Sequence, residues 1–337
     1  MSVTAQTVMF PTDSAVSMDG VTKVFIQWQK DTARDGIRRK PLKPEKHVVT
    51  ALDQVSLHIR RGEFVAYAGP NGAGKSTTMK LLSGMLLPTS GHISVLNLSP
   101  EKRRRALMKQ IGVLFGNRTE LWWDHPIAQS FEWKRVVWDI PRDVYLRNLN
   151  MAVEMLDLGG LLKTFARELS LGQRMRADLA MLLLHDPVLI LLDEPTLGLD
   201  VVAKRQMIDF LKKLNRESGA TIIVSSHDMD DLEEMARRIV MVSKGRIAYD
   251  GGFEGLRGIA GNLTRITVTM TGNHIPAMDG GTLIYAENGV FEYEADVVKH
   301  PIQGLIRQLS ETEGVKDVEI RKAPIEQVIA GLYAAWK

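Results

Sequence analysis

The 337-residue chain has no cysteine. That excludes disulfides and thiolate metal sites, and it fits a reducing compartment. Neither sign of charge dominates. The formal net charge is +3, so an acidic polymer such as nucleic acid is not expected as a partner on charge grounds. Long apolar runs are missing too. The longest candidate, over 179–192, is broken by His185, Asp186 and Pro187, so no segment reaches the roughly 18 apolar residues of a membrane span. The N-terminus lacks a basic stretch followed by an apolar one, so no secretory signal is expected. Any role at a membrane would therefore be exercised from its cytosolic face, through a partner. The rest of the composition, 45% apolar and 25% charged, is that of a globular chain long enough for one large domain and a small one.

The pattern along the chain predicts that division. Residues 1–17 read as a flexible tail. A first domain is expected over 18–255 and a small α+β domain over 256–337, with five glycines between 251 and 263 marking the break. Val21–Ile26 and Val55–Ile59 read as strands. Between them, 26–47 is a basic insertion, with seven Lys or Arg against three acids from Trp28 to His47. It reads as a solvated hairpin or loop, or as a contact for anionic headgroups or a membrane subunit. Phe64–Ala68 is a continuous apolar run that stops at Gly69, and Lys75–Leu82 has helical spacing. Ile111–Phe115, Val188–Leu192, Thr221–Ser225 and Ile239–Val242 are buried-strand candidates separated by helical segments. Such alternation predicts an α/β fold with a mainly parallel sheet covered on both faces. A helical stretch is expected over about 120–180. Beyond the break, Arg265–Met270 and Val315–Ile320 read as strands, and Thr282–Ala295 as a hairpin turning at Glu287-Asn288-Gly289. A helix is expected through Ile302, Leu305, Ile306 and Leu309, and a last amphipathic one from Ile325 to Trp336.

Gly69-Pro70-Asn71-Gly72-Ala73-Gly74-Lys75-Ser76-Thr77 fits the pattern G-x-x-x-x-G-K-[ST]. It follows a strand and opens a helix, the context in which backbone N–H groups cradle a triphosphate. Lys75 should reach the β- and γ-phosphates, Ser76 a Mg²⁺ ion, and Thr77 the α/β-phosphate region. The apolar run from Val188 ends in Asp193-Glu194. A carboxylate at that strand end can hold Mg²⁺ through water. The next acid, Glu194, could orient or deprotonate the attacking water. His227 follows the strand 221–224 and is placed to bond a γ-phosphate. Asp200, in Gly198-Leu199-Asp200, suits a helix N-cap, a role compatible with contact across a dimer. Ser170, Leu171, Gly172 and Gln173 open a further helix, and the Ser170 and Gly172 amides there make a second anion site. A second phosphate cradle makes sense if it closes on a γ-phosphate held by another copy.

The order phosphate loop, Ser-x-Gly-Gln, Asp-Glu, Gly-Leu-Asp, His resembles the nucleotide-binding subunit of an ABC transporter over about 18–255. The resemblance implies a P-loop ATPase core of the RecA-like kind, with an antiparallel part and a helical subdomain. ATP and Mg²⁺ are the implied cofactors. Two copies, or this chain and a paired ATPase chain, would sandwich two ATP molecules head to tail, with integral-membrane permease subunits as partners. The place implied is the cytoplasmic face of a bacterial inner membrane. Phe25 matches the aromatic that stacks on adenine in that family; as an unaided reading it is equally a core residue on a strand. More narrowly, Phe115-Gly116-Asn117-Arg118 and Leu121-Trp122-Trp123-Asp124, the basic insertion and the C-terminal domain resemble an exporter branch. Its ATPases serve separate six-helix permeases and are often described as drug or viologen exporters. Two positions depart from the family. Leu171 stands where glycine is usual, and Gly116 stands where glutamine is usual, with Asn117 next to it as the replacement.

Two other classes compete. A non-transport ABC protein acting on ribosomes or DNA usually carries two cassettes, or long coiled coils between the loop and the signature helix; neither is seen here. A nucleotide-gated regulatory subunit without turnover would not need Glu194 and His227. The C-terminal domain shows no catalytic constellation, so its expected role is dimer contact or regulation.

Overall fold

The computed structural model describes residues 13–29, 45–115, 119–259, 263–272, 274–322 and 325. The chain forms two compact units, residues 1–250 and 251–337.

The first unit opens with two long strands, β1 (Ser14–Gln29) and β2 (Glu45–Arg60), followed by β3 (Phe64–Ala68). The helix α1 (Lys75–Leu82), β4 (Ser90–Val95), the short α2 (Arg104–Met108) and β5 (Ile111–Phe115) come next. A helical stretch contains α3 (Ile127–Val137), α4 (Arg142–Met155) and α5 (Leu171–Leu183). The remainder alternates: β6 (Leu189–Asp193), α6 (Val201–Ser218), β7 (Thr221–Ser226), α7 (Met229–Met235), β8 (Arg238–Ser243) and β9 (Arg246–Gly252).

The main sheet has six strands in the order β5-β6-β7-β3-β8-β9. The pairs β5/β6, β6/β7, β7/β3 and β3/β8 are parallel. Strands buried on both faces need apolar residues at every position, which is why Leu189–Leu192 and Ile222–Val224 contain no polar side chain and are buried throughout. On one face α1 packs on β6; α5 covers β5, and α7 covers β3 and β7. Each fully buried Leu or Ile contributes about 1.5–3 kcal/mol, so truncating Leu191 to alanine would cost about 2–5 kcal/mol.

Register decides what this sheet can do. Ala68 lies opposite Ser226, Asp193 opposite Ser225 and Phe115 opposite Asp193. The carboxyl ends of β3, β5, β6 and β7 therefore meet at one edge, the edge at which open α/β sheets bind ligands.

A second, antiparallel sheet has the order β2-β1-β4. The tail expected over 1–17 stops short of 17, because Ser14–Ser17 begin β1 with Ala15 and Val16 fully buried. Their small, alternating side chains carry little apolar signal, and pairing with β2 and β4 supplies the order. Both strands continue into the basic insertion, where Ile26 faces Val48 and Gln29 pairs with Glu45. Residues 30–44 of that insertion lie outside the described residues.

In the second unit, α8 (Phe253–Ile259) occupies part of the glycine-rich stretch read as a break. Phe253 and Leu256 are buried, and burial of that face offsets the helix penalty of about 1 kcal/mol for each of Gly255 and Gly258. Strands β10 (Leu263–Met270), β11 (Gly281–Glu287), β12 (Val290–Asp296) and β13 (Val315–Lys322) form an antiparallel sheet in the order β11-β12-β10-β13. The helix α9 (Ile302–Ser310) buries Leu305 and Leu309 in one core cluster with Ile266, Val268 and Phe291. The β11–β12 turn has positive φ at Asn288 and Gly289, as a two-residue hairpin of the primed kind requires. The last amphipathic helix expected from 325 to 336 lies outside the described residues, apart from Ile325, which is buried. Among the described residues no helix is long and apolar enough to cross a membrane.

Candidate functional site

The loop after β3 turns into α1 at Gly74, the N-cap, with φ 115°. A Cβ there would fall 2.6 Å from Leu52 Cδ2 and 2.7 Å from the Ala51 carbonyl oxygen, so only glycine fits. Below the loop, the buried Tyr67 hydroxyl and Thr78 Oγ1 are 3.0 Å apart, and Thr78 Oγ1 donates to the Gly74 carbonyl at 3.1 Å. Burial pushes the Tyr67 phenol up to about 12, so it stays a neutral hydrogen-bonding strut. This underpinning was not legible in the motif, which stops at Thr77.

Lys75 is buried, and its Nζ donates to the Gly69 carbonyl at 2.6 Å and to the Pro70 carbonyl at 3.3 Å. Desolvation moves its pKa below the usual lysine value, with the charges of Glu194 and Asp193 pulling the other way. Asn71, Gly72 and Ser76 are exposed and Ala73 is buried. Thr77 is half-buried.

Asp193 ends β6, and its Oδ1 accepts a 2.5 Å hydrogen bond from Ser225 Oγ on the neighbouring strand. Ser225 is a site residue outside the sequence motifs. The polar end of an otherwise apolar strand was its only signal. Glu194 follows with φ 56°, its N–H donating to the Ser225 carbonyl at 2.9 Å. His227 Nδ1 stands 3.6 Å from Glu194 Oε1, too far for a hydrogen bond, and the ring is largely exposed. Ser76, Asp193 and Glu194 line one cavity of about 570 Å³. One hydroxyl and one carboxylate form a hard oxygen set of the kind Mg²⁺ takes when phosphate and water complete its shell. Among the described residues there is no group of three or more His, Asp or Glu that could hold a metal unaided.

The same cavity reaches Thr119, Lys134, Trp138, Asp178 and His185. Thr119 Oγ1 donates to Asp178 Oδ1 at 2.8 Å, as does the Glu120 N–H at 3.2 Å. The buried Lys134 pairs with Glu120 at 2.8 Å and lies 4.9 Å from the Trp138 ring centroid. These contacts tie the segment after β5 to α3 and α5. Asn117, with its neighbours Gly116 and Arg118, lies outside the described residues.

Ser170 is the N-cap of α5 in a full capping box: Ser170 Oγ accepts from the Gln173 N–H at 3.2 Å, and Gln173 Oε1 from the Ser170 N–H at 2.9 Å. The box engages the Ser170 and Gln173 N–H groups, so the anion site expected at the Ser170 and Gly172 amides falls instead to those of Leu171 and Gly172. Asp200 likewise caps α6, its Oδ1 accepting from the Ala203 N–H at 2.8 Å. The two helix starts adjoin. A Cβ at Gly172 would lie 3.2 Å from Ala203 Cβ, and one at Gly198 2.9 Å from Leu171 Cδ2. Around them Leu171, Val201 and Val202 are 45%, 83% and 67% exposed. Among the described residues no hydrogen bond or ion pair joins Ser170–Gln173 to Lys75, Asp193, Glu194 or His227. The chain brings Lys75, Asp193, Glu194 and His227 together, with Ser170–Gln173 outside that set of contacts. Phe25 is half-buried on β1 opposite Val49, with Lys23 Nζ 5.1 Å from its ring centroid.

A family model described as ABC transporter matches residues 52–197. An uncharacterized ABC transporter ATP-binding protein, YhcH of Bacillus subtilis (strain 168), is 35% identical over 198 residues, 59% of this chain and 64% of that protein. The ABC transporter ATP-binding protein NatA of the same organism is 31% identical over 212 residues, 63% of this chain and 86% of that protein. The methionine import ATP-binding protein MetN of Latilactobacillus sakei subsp. sakei (strain 23K) is 32% identical over 212 residues, 61% of each. The aligned region thus spans less than two thirds of YhcH and of MetN. Among solved structures, a bacterial ABC transporter cassette reported as a dimer matches with a TM-score of 0.55 at 25% identity, covering 70% of this chain and 98% of that one.

Proposed function

The chain belongs to the ABC transporter ATP-binding proteins, and on that premise we propose that it hydrolyses ATP as a head-to-tail dimer and powers export through a separate membrane permease. The observation that carries the ATPase reading is the meeting of Lys75, Asp193 and Glu194 at the carboxyl edge of the main sheet, with Ser225 fixing Asp193. In this reading the amides of Gly69–Thr77 and the start of α1 bind the phosphate chain, and Lys75 exchanges its carbonyl partners for phosphate oxygens. Ser76 and Asp193 would hold Mg²⁺, which when bound neutralises phosphate charge. Glu194 takes the proton from the attacking water. His227 lies beside Glu194, where it can donate to the γ-phosphate.

The second copy enters because, among the described residues, the start of α5 makes no hydrogen bond or ion pair to the phosphate loop or the acids of its own chain. Its free Leu171 and Gly172 amides suit the γ-phosphate bound by a partner, and the exposed Leu171, Val201 and Val202 suit burial against it. In that arrangement Asp200 contacts the partner copy and Phe25 stacks on adenine. Residues 18–255 serve as the ATPase domain, and 256–337 in dimer contact or regulation. The chain works at the cytoplasmic face of the inner membrane, held there by the permease. Export follows the resemblance of 115–124 and of the basic insertion; MetN, by its name an import protein, is the counterweight among the relatives.

Glu194→Gln tests the catalytic assignment. Mg²⁺-dependent ATP turnover should all but vanish, and an ATP-bound dimer should accumulate in size-exclusion chromatography with light scattering. Unchanged turnover in that variant would remove Glu194 as the base. Direction is read in inverted vesicles carrying the chain with a membrane permease that co-purifies with it; ATP-driven accumulation of cargo inside means export, and depletion means import.

A further inference from the structure

Lys204 lies in the first turn of α6, and its N–H donates to the Asp200 carbonyl at 2.9 Å. Its side chain crosses to the next helix, where Nζ meets Asp228 Oδ2 at 2.5 Å and Asp231 Oδ2 at 3.1 Å. Asp228 directly follows His227. Its other oxygen, Oδ1, caps α7 by accepting from the Asp231 N–H at 3.1 Å, and its N–H donates to Ser226 Oγ at 3.0 Å. The turn that carries His227 is therefore tied within its own segment by Ser226 and Asp228, and among the described residues the side chain that holds Asp228 from outside is Lys204. Among the described residues, the one side-chain approach to the largely exposed His227 ring is that of Glu194 at 3.6 Å.

We propose that Lys204 is a positioning residue for His227: by holding Asp228 and Asp231 it fixes where the imidazole stands relative to Glu194. The inference rests on the ATPase reading above. It differs from a plain structural ion pair, because α6 and α7 are held together independently. Arg205 pairs with Glu234 at 2.5 Å one turn away, and both helices bury apolar faces, Met207 and Leu211 on one and Leu232 and Met235 on the other. Losing the Lys204 charge leaves those contacts in place and releases the one end of α7 that carries His227. Two carboxylates would then face each other without their cation, Asp231 being buried, and their repulsion displaces the turn.

The test compares the full chain with Lys204→Met and Lys204→Arg, reading kcat and KM for MgATP, ATP affinity by equilibrium binding, and the histidine ring resonances in NMR. The His227 signal is identified by its loss in His227→Ala. A displacement of about 1 Å at a reacting group can cost up to about 100-fold. The expectation for Lys204→Met is a fall in kcat of about 10-fold, with KM and ATP affinity nearly unchanged and a shifted or broadened His227 resonance. Lys204→Arg, which keeps the charge and reach, should recover most of both. Full turnover in Lys204→Met, an unmoved His227 signal, or loss of ATP affinity together with turnover would each overturn the inference. Should Lys204→Met fail to fold, Asp228→Asn carries the same decision, since asparagine keeps the helix cap and removes the charge Lys204 holds. Absence of ATP turnover in the unaltered chain would sink the ATPase reading alone; the His227 resonance would still decide the positioning.

Discussion

Asp178, on α5, and His185, just beyond its end, line the same cavity, and burial drives their protonation in opposite directions. Desolvation pushes the Asp178 carboxyl up from its ordinary 3.8 to about 6, against the hydrogen bonds from Thr119 and Glu120. It pushes His185 down from 6.5 to about 4, helped by the charge of Lys134. The histidine has a local reason as well. Its Nε2 is 3.0 Å from the Ile111 carbonyl oxygen and is the donor there, while the buried Nδ1 has no partner among the described residues. A proton on Nδ1 would be buried without an acceptor. Stability falls with acid wherever the unfolded chain binds more protons than the folded one. Between pH 7 and pH 4 the unfolded chain binds more at His185, so that group destabilises the fold on acidification. The folded chain binds more at Asp178, so that group stabilises it. At about 1.4 kcal/mol per tenfold change in proton affinity, each contributes on the order of 2–3 kcal/mol over that range, and the two nearly cancel. Asp178→Asn keeps an acceptor for Thr119 and Glu120 and removes the titration. Urea unfolding followed by tryptophan fluorescence should show this variant losing about 2–3 kcal/mol more than the parent chain between pH 7 and pH 4. His185→Gln should lose about that much less. Variants that follow the parent within about 0.5 kcal/mol, or that deviate in the same direction, would refute the argument.

Other expectations follow from the helix starts and from the second unit. Ser170→Ala removes the capping box and should cost about 1 kcal/mol in thermal unfolding. ATP affinity of the isolated chain should be untouched, since among the described residues Ser170 makes no contact with its own phosphate loop, while turnover falls about 10-fold as the uncapped helix start misplaces the Leu171 and Gly172 amides. Gly198→Ala should cost about 1–2 kcal/mol in thermal unfolding, because φ is 75° there and a side chain strains that conformation. Since the nearest atom is the tip of the exposed Leu171 side chain, Leu171→Ala in the same chain should leave the loss unchanged within about 0.5 kcal/mol; a larger recovery would place the cost in the contact instead. Deleting 264–337 should leave equilibrium ATP binding intact while altering assembly or regulation; a folded truncation unable to bind ATP would contradict the assignment of the site to the first unit.

The elements nearest the chemistry were the most legible. Phe64–Ala68 and Lys75–Leu82 stand in the structure with the bounds their apolar run and helical spacing indicated, because a doubly buried strand reads as a mainly apolar run and the loop cannot tolerate a side chain at Gly74. Legibility fell where order comes from pairing. The strand β4 begins Ser90-Gly91-His92, with no periodic signal, and Ser14–Ser17 take their order from pairing with β2 and β4. Within the site, the motif residues could be named from spacing, but their supports could not. Ser225 meets Asp193, and Thr119 meets Asp178, because strand register and helix docking place them there. Lys204 reads in sequence as one more surface lysine on an amphipathic helix.

The backbone at Glu194 has a consequence for how this chain can vary. A left-handed φ of 56° at a residue with a Cβ costs about 1–2 kcal/mol, and the proline at 195 narrows the choices further. Asparagine tolerates that conformation better, so Glu194→Asn should raise the unfolding free energy by up to about 1 kcal/mol while removing the carboxylate. On the role proposed for Glu194, a screen for thermostability and a screen for ATP turnover would select opposite residues at this position, and selection for heat resistance alone would work against activity.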